Sequence, residues 1–308
     1  MDVLSDLLIR ARVGHTDVHL LRQSPPWSLA FAAGGDDEIV VLATLGGPAH
    51  LRTDSGHDAP LGADAVMVVK ATGYTVADNP ATAPQALIKD GRKILLGSEV
   101  AAIRPLAART YGDGSAHGLL RGAYRLHGAV GARLLDLLPE VSVTPADPRV
   151  GTLLNLLAAE ASRSEPGQDA VLHRLLESVL VLSLRGLLDR PGFTPPGWYL
   201  ATADPQLGGA LQAMHDDPGA GWTVATLAAA AGLSRARFAA RFTEVVGHPP
   251  LTYLTEWRMT LAADALRDTD DTVAAIARRV GYGDPFAFSV AFKRVTGVGP
   301  SAWRRDGP

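Results

Sequence analysis

A stretch near the C-terminal end of the chain is written twice. Thr223–Tyr253 reads TVATLAAAAGLSRARFAARFTEVVGHPPLTY, and Thr272–Trp303 reads TVAAIARRVGYGDPFAFSVAFKRVTGVGPSAW. In both, a Thr-Val pair starts nine positions before a glycine (Gly232, Gly281). A phenylalanine follows (Phe238, Phe288), and another comes four residues later (Phe242, Phe292). Then come a glycine (Gly247, Gly297), a proline three residues on (Pro250, Pro300) and a closing aromatic (Tyr253, Trp303). The second copy has one extra residue in its turn. Two related units joined by a spacer constrain the fold more than any other feature.

The residue types specify helix, turn and helix. In the first copy Val224, Leu227, Ala228 and Ala231 form an apolar stripe at helical spacing. Gly232 tolerates the positive φ of a tight turn. Ser234 is a good N-cap for a second helix whose inner face is Phe238, Phe242 and Val245. The second copy repeats this with Val273, Ile276, Ala277 and Val280, then Gly281. Asp284 is its N-cap, with Pro285 at the first helical position and Phe288, Phe292 and Val295 facing inward. Leu251–Arg267 between them reads as one helix of about 17 residues, roughly 25 Å long at 1.5 Å per residue. Such a rod can hold two recognition helices about one DNA turn apart, near 34 Å.

Composition bounds the alternatives. The 308 residues are 47% hydrophobic and 20% charged, as in globular proteins, and no apolar run approaches the length of a membrane span. With acids early in MDVLSDLLIRAR and no basic n-region, a cytoplasmic location is expected. There is no cysteine, which removes disulfides, thiolate metal ligands and thiol chemistry together. The net charge is −3, and from residue 204 onward 11 basic residues face 11 acidic ones. Any affinity for nucleic acid must therefore come from local placement of charge.

Along the chain, residues 1–22 begin with an amphipathic helix bearing Val3, Leu4, Leu7 and Leu8. From Trp27 to about Val76, short apolar runs between Gly- and Asp-rich turns read as antiparallel strands of a sandwich or barrel. LLRGAY (119–124) reads as a further strand. From Pro148 the period turns helical, through Val150, Leu153, Leu154 and Leu157. After SEPG a long apolar helix runs from about Asp169 to Leu188. Its apolar surface is wide enough to demand a cover, either the β region or a second subunit. DRPGFTPPGW (189–198) is the strongest candidate linker.

PPLTYLTEWRMTLAADALRDTD (249–270) and VAAIARRVGYGDPFAFSVAFKRVTGVGPSAWRR (273–305) resemble the DNA-binding domain of the AraC/XylS family of bacterial transcription regulators. The front of the chain resembles, more loosely, the cupin-type ligand-binding domain of one branch of that family. The carriers are SPPWSLAF (24–31), LGADAVMVV (61–69), LLRGAYRLHG (119–128) and LLDLLPEV (134–141). The resemblance implies an α+β chain. A cupin-like β-barrel sensor (1–147) is followed by a helical pair for dimerisation (148–190) and a linker (191–203). An all-α DNA-binding domain (204–308) then carries two helix-turn-helix motifs on a linker helix. It further implies double-stranded DNA and RNA polymerase as partners, a homodimer, a possible small-molecule effector, no membrane and no cofactor. Activation is the output it points to, although the residues leave activation and repression open.

The DNA-contacting residues expected in the first copy are Ser234, Arg235, Ala236, Arg237, Ala239, Ala240 and Arg241. In the second they are Pro285, Phe286, Ser289, Val290 and Lys293. A family arginine on each recognition helix is replaced here, by Ala240 and Val290. The alanines can touch only thymine methyls or read shape, while Arg235, Arg237 and Arg241 can reach phosphate or guanine. Arg278, Arg279, Arg304 and Arg305 can equally be solvated helix-end charges.

A metal-dependent cupin enzyme fused to a DNA-binding module is the main alternative, with His50, His57 and Glu38 as candidate ligands. The histidine that a later cupin motif needs falls near Val76, which is apolar, so neither metal nor catalytic residues are assigned. The DNA-repair alkyl acceptors and oxidant sensors of related families need cysteine and are excluded. A nucleoid-type DNA binder is a third reading. A ligand inside the barrel would be contacted by Trp27, His50, Arg52 and Tyr74.

Overall fold

The alternating apolar residues of the front region pair into two sheets, and the helices after residue 193 belong to a second compact unit. The computed structural model describes residues 2–11, 13–35, 38–63, 65–70, 72–89, 92–96, 104–107, 109–145 and 147–306. Contacts divide the chain into two compact units. One is Val13–Leu126 with Leu138–Phe193; the other is Met1–Arg12, His127–Leu137 and Thr194–Pro308. Among the described residues, no helix is long and apolar enough to cross a membrane.

The β unit holds strands β1 (Val13–Arg22), β2 (Ser28–Phe31), β3 (Glu38–Leu45), β4 (Ala49–Thr53), β5 (Asp58–Leu61), β6 (Ala65–Lys70) and β7 (Tyr74–Ala77). After them come β8 (Ala86–Lys89), β9 (Arg92–Leu95), β10 (Arg104–Ala107), β11 (Thr110–Gly112), β12 (Gly118–Leu126) and β13 (Val141–Pro145). Seven strands form one sheet, in the order β10-β11-β1-β12-β3-β6-β13. Six form the other, in the order β5-β4-β7-β2-β8-β9. The expected closed barrel is corrected to two open sheets: among the described residues no strand of one sheet pairs with a strand of the other. Beyond Leu61 the chain leaves β5 and its next strand, β6, pairs with β3 and β13 instead. The sheets still share one core. Val40, Leu42, Leu119 and Ala123 of the first meet Leu29, Phe31, Leu51 and Tyr74 of the second. Burying each large side chain contributes about 1.5–3 kcal/mol.

Strand parity sends the alternate residues of β1 and β12 to the outer face of the seven-stranded sheet. Two helices, here α3 (Pro148–Ala161) and α4 (Gln168–Leu188), cover that face. Gly122 is required there, because a Cβ would lie 2.4 Å from the Leu176 methyl carbons. Thr110 Oγ1 donates to the Ala161 carbonyl at 2.9 Å. The wide apolar surface of the pair is thus covered in part by the sheet, while Leu156 and Val171 stay exposed. Strand β1 fills the second half of residues 1–22, after the helix that the sequence predicts at their start.

The helical unit contains α1 (Val3–Arg10), α2 (Gly128–Leu135), α5 (Gly197–Ala203), α6 (Gly208–Asp216), α7 (Val224–Ala230) and α8 (Arg235–Val246). It continues with α9 (Pro250–Asp268), α10 (Val273–Arg279), α11 (Pro285–Thr296) and α12 (Pro300–Asp306). Helix α9 is the axis. Its last turns, Met259, Ala262, Ala263 and Leu266, meet Ile276, Ala277, Phe288 and Phe292. Its first turns carry Tyr253 and Trp257, both buried with His215 of α6. His215 stacks on Trp257 at 4.5 Å, and its Nε2 lies 2.8 Å from the Tyr253 hydroxyl.

Two helices from the front region belong to this body. The Asp6 carboxylate of α1 lies 3.3 Å from His215 Nδ1 and 2.6 Å from Arg10 Nε. Asp264 of α9 accepts from the first backbone N–H groups of α2, at Ala129 (2.5 Å) and Val130 (3.3 Å). It thereby satisfies donors that a helix start leaves open.

Candidate nucleic-acid interface

The two copies are built by the same contacts. Thr223 caps α7 in a reciprocal box with Thr226, and Thr272 caps α10 by accepting from Ala275 N at 3.2 Å. Gly232 (φ 64°) and Gly281 (φ 86°) turn the chain. The following N–H groups close each turn, Leu233 onto the Ala228 carbonyl at 2.9 Å and Tyr282 onto the Ala277 carbonyl at 2.8 Å. Each recognition helix then starts on a side-chain cap. Ser234 Oγ accepts from Arg237 N at 3.3 Å, while the Asp284 carboxylate accepts from Phe286 N at 3.0 Å and Ala287 N at 3.2 Å.

The interiors match as closely. Phe238 and Phe242 lie 5.6 Å apart, and Phe288 and Phe292 lie 5.7 Å apart. The second ring of each pair meets its closing aromatic edge-on at 5.9 Å, Phe242 on Tyr253 and Phe292 on Trp303. Val246, not Val245, is the buried residue one turn on, and Val295 is 41% exposed. Those two expected inward positions are corrected: Ala291 and the Trp303 ring complete the second core, leaving Val295 on the outside.

The outer surfaces diverge. On α8, Arg235, Ala236, Arg237 and Ala240 are exposed and Ala239 is half-buried. The guanidinium groups of Arg235 and Arg237 have no side-chain partner among the described residues. On α11, Pro285, Phe286, Val290 and Lys293 are exposed, and Phe286 is 76% so. Ser289 is half-buried and spends its hydroxyl on the Pro285 carbonyl at 2.8 Å. Basic groups thus stand at the leading end of α8, while α11 leads with apolar groups and carries Lys293 and Arg294 toward its far end.

Some expected DNA contacts are committed inside the protein. The Arg241 guanidinium pairs with Asp204 at 2.6 Å. Burial opposes the charge of Asp204, but the N–H groups of Gln206 and Leu207, with Arg241, hold its carboxyl below the usual range. No local pattern marks a pair 37 residues apart. Arg279 pairs with Asp271 at 2.8 Å, and Arg304 donates to the Leu266 carbonyl at 3.1 Å at the end of α9. Arg278 is exposed.

In the β unit the four residues named for a ligand are not brought together. His50 and Arg52 alternate with buried Leu51, so they leave on the outer face, where both pair with Asp58 at 2.7 and 3.1 Å. Trp27 is core. Tyr74 is fully buried, stacks on Phe31 at 4.9 Å, and its hydroxyl accepts from Arg121 Nε at 2.8 Å. A cavity of about 610 Å³ lies between the sheets instead, and none of the four lines it. Its wall includes Asp17, His19, Glu38 and Arg121, which parity along β1, β3 and β12 turns inward. His50, on β4, and Glu38, in the other sheet, do not form the metal set considered for a cupin enzyme.

Two helix-turn-helix units on one shared helix, joined in sequence to a β-sandwich with a cavity, define a single-chain DNA-binding regulator. Residues 2–189 match the Cupin family and residues 227–306 match the helix-turn-helix domain family. A putative AraC-like transcription regulator of Streptomyces lividans is 34% identical over 99% of this chain and 98% of its own. One from Streptomyces antibioticus is 33% identical over 99% of both. The chain belongs to the AraC-like transcription regulators. The solved DNA-binding domain of AdpA in complex with a target DNA is 33% identical over 33% of this chain and 92% of that one, with a TM-score of 0.32.

Proposed function

We propose that this chain regulates transcription by seating both recognition helices in the major groove of one DNA site. The two copies would use different chemistry. Arg235 and Arg237 at the start of α8 contact phosphate or guanine, with Ala236, Ala239 and Ala240 against thymine methyls. Phe286 and Val290 on α11 pack on thymine methyls, with Pro285 and Ser289 beside them and Lys293 on phosphate. Ser234 positions the first helix through its cap. The observation that supports this most is the exposed state of the Arg235 and Arg237 guanidinium groups, without a side-chain partner among the described residues, on a helix whose opposite face is locked by Phe238 and Phe242.

The β unit acts as a sensor, not as an enzyme; the full-length relatives are named as transcription regulators, which supports a regulatory chain. Two copies associate through the exposed apolar residues of the α3–α4 pair, and the assembly works on RNA polymerase in the cytoplasm. Footprinting the purified protein on DNA upstream of its own gene tests the DNA reading. Protection of two adjacent major-groove segments on one face is expected, and it should be lost near one of them in Arg237→Ala. Uniform coating without a boundary, collapsing as salt rises, would overturn it in favour of non-specific binding.

A further inference from the structure

The two helix-turn-helix copies meet at a second place besides their shared helix α9. The loop 217–222, which leads into α7, lies against the turn between α10 and α11. A Cβ on Gly219 would stand 2.7 Å from the Arg279 carbonyl oxygen, and one on Gly281 would stand 2.7 Å from the Gly219 carbonyl oxygen. Backbone touches backbone there, with no room for a side chain on either glycine. The matching turn glycine of the first copy, Gly232, has nothing within 4 Å of its Cβ position, so it answers only to its φ of 64°. The same turn is open in one copy and in contact in the other.

One side chain fastens this contact. Arg258, half-buried near the middle of α9, donates from Nε to the Pro218 carbonyl at 2.6 Å and from Nη2 to the Ala220 carbonyl at 2.7 Å. Its guanidinium also lies 6.0 Å from the centre of the Tyr282 ring, and Tyr282 meets Phe288 of the second core edge-on at 5.8 Å. The loop is shaped to receive it. Asp217 accepts from the Ala220 N–H at 3.1 Å through its carboxylate and from Trp222 Nε1 at 2.8 Å through its carbonyl. A planar fork of fixed donors suits two carbonyls at once, which the point charge of a lysine does not. Along α9, Tyr253 and Trp257 anchor the first copy, while Met259, Ala262 and Leu266 anchor the second. Arg258 stands between the two sets. We propose that Arg258 is a positioning residue: by fastening the 217–222 loop beside the Gly281 turn it fixes the second recognition helix relative to the first, and so sets the spacing of the two DNA segments the chain reads. The spacing rests on the DNA reading given above. Each base pair inserted between the segments moves the second by about 3.4 Å and turns it by about 35°. A rigid pair of readers refuses that displacement. A loosened pair follows it, at the expense of the effective concentration that couples the two contacts.

Spacing preference tests this, because a fold that is merely weakened does not change it. The full chain is titrated with the duplex protected in footprinting and with the same duplex carrying one base pair more or fewer between the protected segments. The wild type should lose at least about tenfold on either altered duplex. Arg258→Met should lose about tenfold on the natural duplex and then differ by less than about threefold among the three. A duplex carrying one protected segment should bind both proteins equally. Gly219→Ala, which pushes the loop off the Arg279 carbonyl while leaving α9 unchanged, should relax the spacing in the same way. A spacing penalty as steep in both variants as in the wild type overturns the proposal, and so does an equal loss on the one-segment and full duplexes. The absence of cysteine gives a readout that needs no DNA. Nitroxides on Glu244→Cys and Arg294→Cys, exposed positions of α8 and α11, should give one narrow distance in the otherwise wild-type chain and a broadened one with Arg258→Met. An unbroadened distance overturns the positioning role even where operator binding falls. A broadened one in a chain that coats DNA without a boundary keeps the positioning role and removes the DNA reading, with the spacing that rests on it.

Discussion

The two helix-turn-helix copies are the same inside and different outside. Each has a Thr cap, a positive-φ glycine, a capped recognition helix, two phenylalanines and a closing aromatic, with ring spacings of 5.6 and 5.7 Å within the phenylalanine pairs and 5.9 Å to both closing aromatics. Yet α8 leads with Arg235 and Arg237 and α11 leads with Pro285 and Phe286. The comparison separates two kinds of constraint. Interior positions answer to packing density, which a single methylene disturbs, so both copies keep the phenylalanine pair and a closing aromatic there. Surface positions answer only to what they meet, and here the two have diverged.

The largest effect should come from the shared interior. Phe242→Ala and Phe292→Ala should each destabilise the helical unit by about 3–5 kcal/mol in denaturant unfolding. Equal losses support matched interiors, whereas a tolerant second copy would break the comparison. Next in size is the surface. Arg237→Ala should weaken operator binding by about 1–3 kcal/mol if the side chain reads a base, in a mobility-shift titration. Arg241→Ala should lower stability instead, by unpairing the nearly buried Asp204 carboxylate, and unchanged stability would mean that the ion pair is not its role.

A smaller, graded effect should follow pH. Burial pushes the His215 imidazole below its ordinary value of 6.5 against the pull of Asp6, with Arg133 and Arg10 adding to the downward shift. The folded chain therefore resists a proton that the unfolded chain accepts. Stability should be full above about pH 6.5 and decline as pH falls below it. Asp6 adds a further loss only at lower pH, since His215 and Arg10 overcome its burial and hold its carboxyl below 3.8. Melting temperatures between pH 7.5 and 5 should show this slope, reduced in His215→Gln; a flat wild-type profile would refute it.

The repeat was legible because its determinants are local. Caps, turn glycines and i, i+4 phenylalanines lie within one or two turns of each other. The long helix α4 and the strands from SLAF to AVMVV were readable from period alone. What stayed hidden was pairing at a distance. The apolar face of α1 announces that something covers it, but not that His215, two hundred residues on, takes part. Arg241 looked like a DNA contact because Asp204 is invisible to a local reading. Residue type points to His50 and Arg52 as ligand contacts, but parity beside buried Leu51 turns both outward. The same parity puts Asp17, His19 and Leu21 on one face of β1, a strand that the acid- and His-containing VGHTDVHLLR does not announce by composition.

The claim that the two copies meet DNA by different chemistry is tested most directly by salt. Operator affinity should be measured across a salt series for the wild type, Arg235→Ala/Arg237→Ala and Phe286→Ala/Val290→Ala. The arginine pair should lose affinity with a log–log slope shallower by about 1–2, because each lost phosphate contact removes about 0.9. The apolar pair should lose affinity along a line parallel to the wild type. Parallel lines for all three, or an equal flattening in both variants, would contradict the division of roles between α8 and α11.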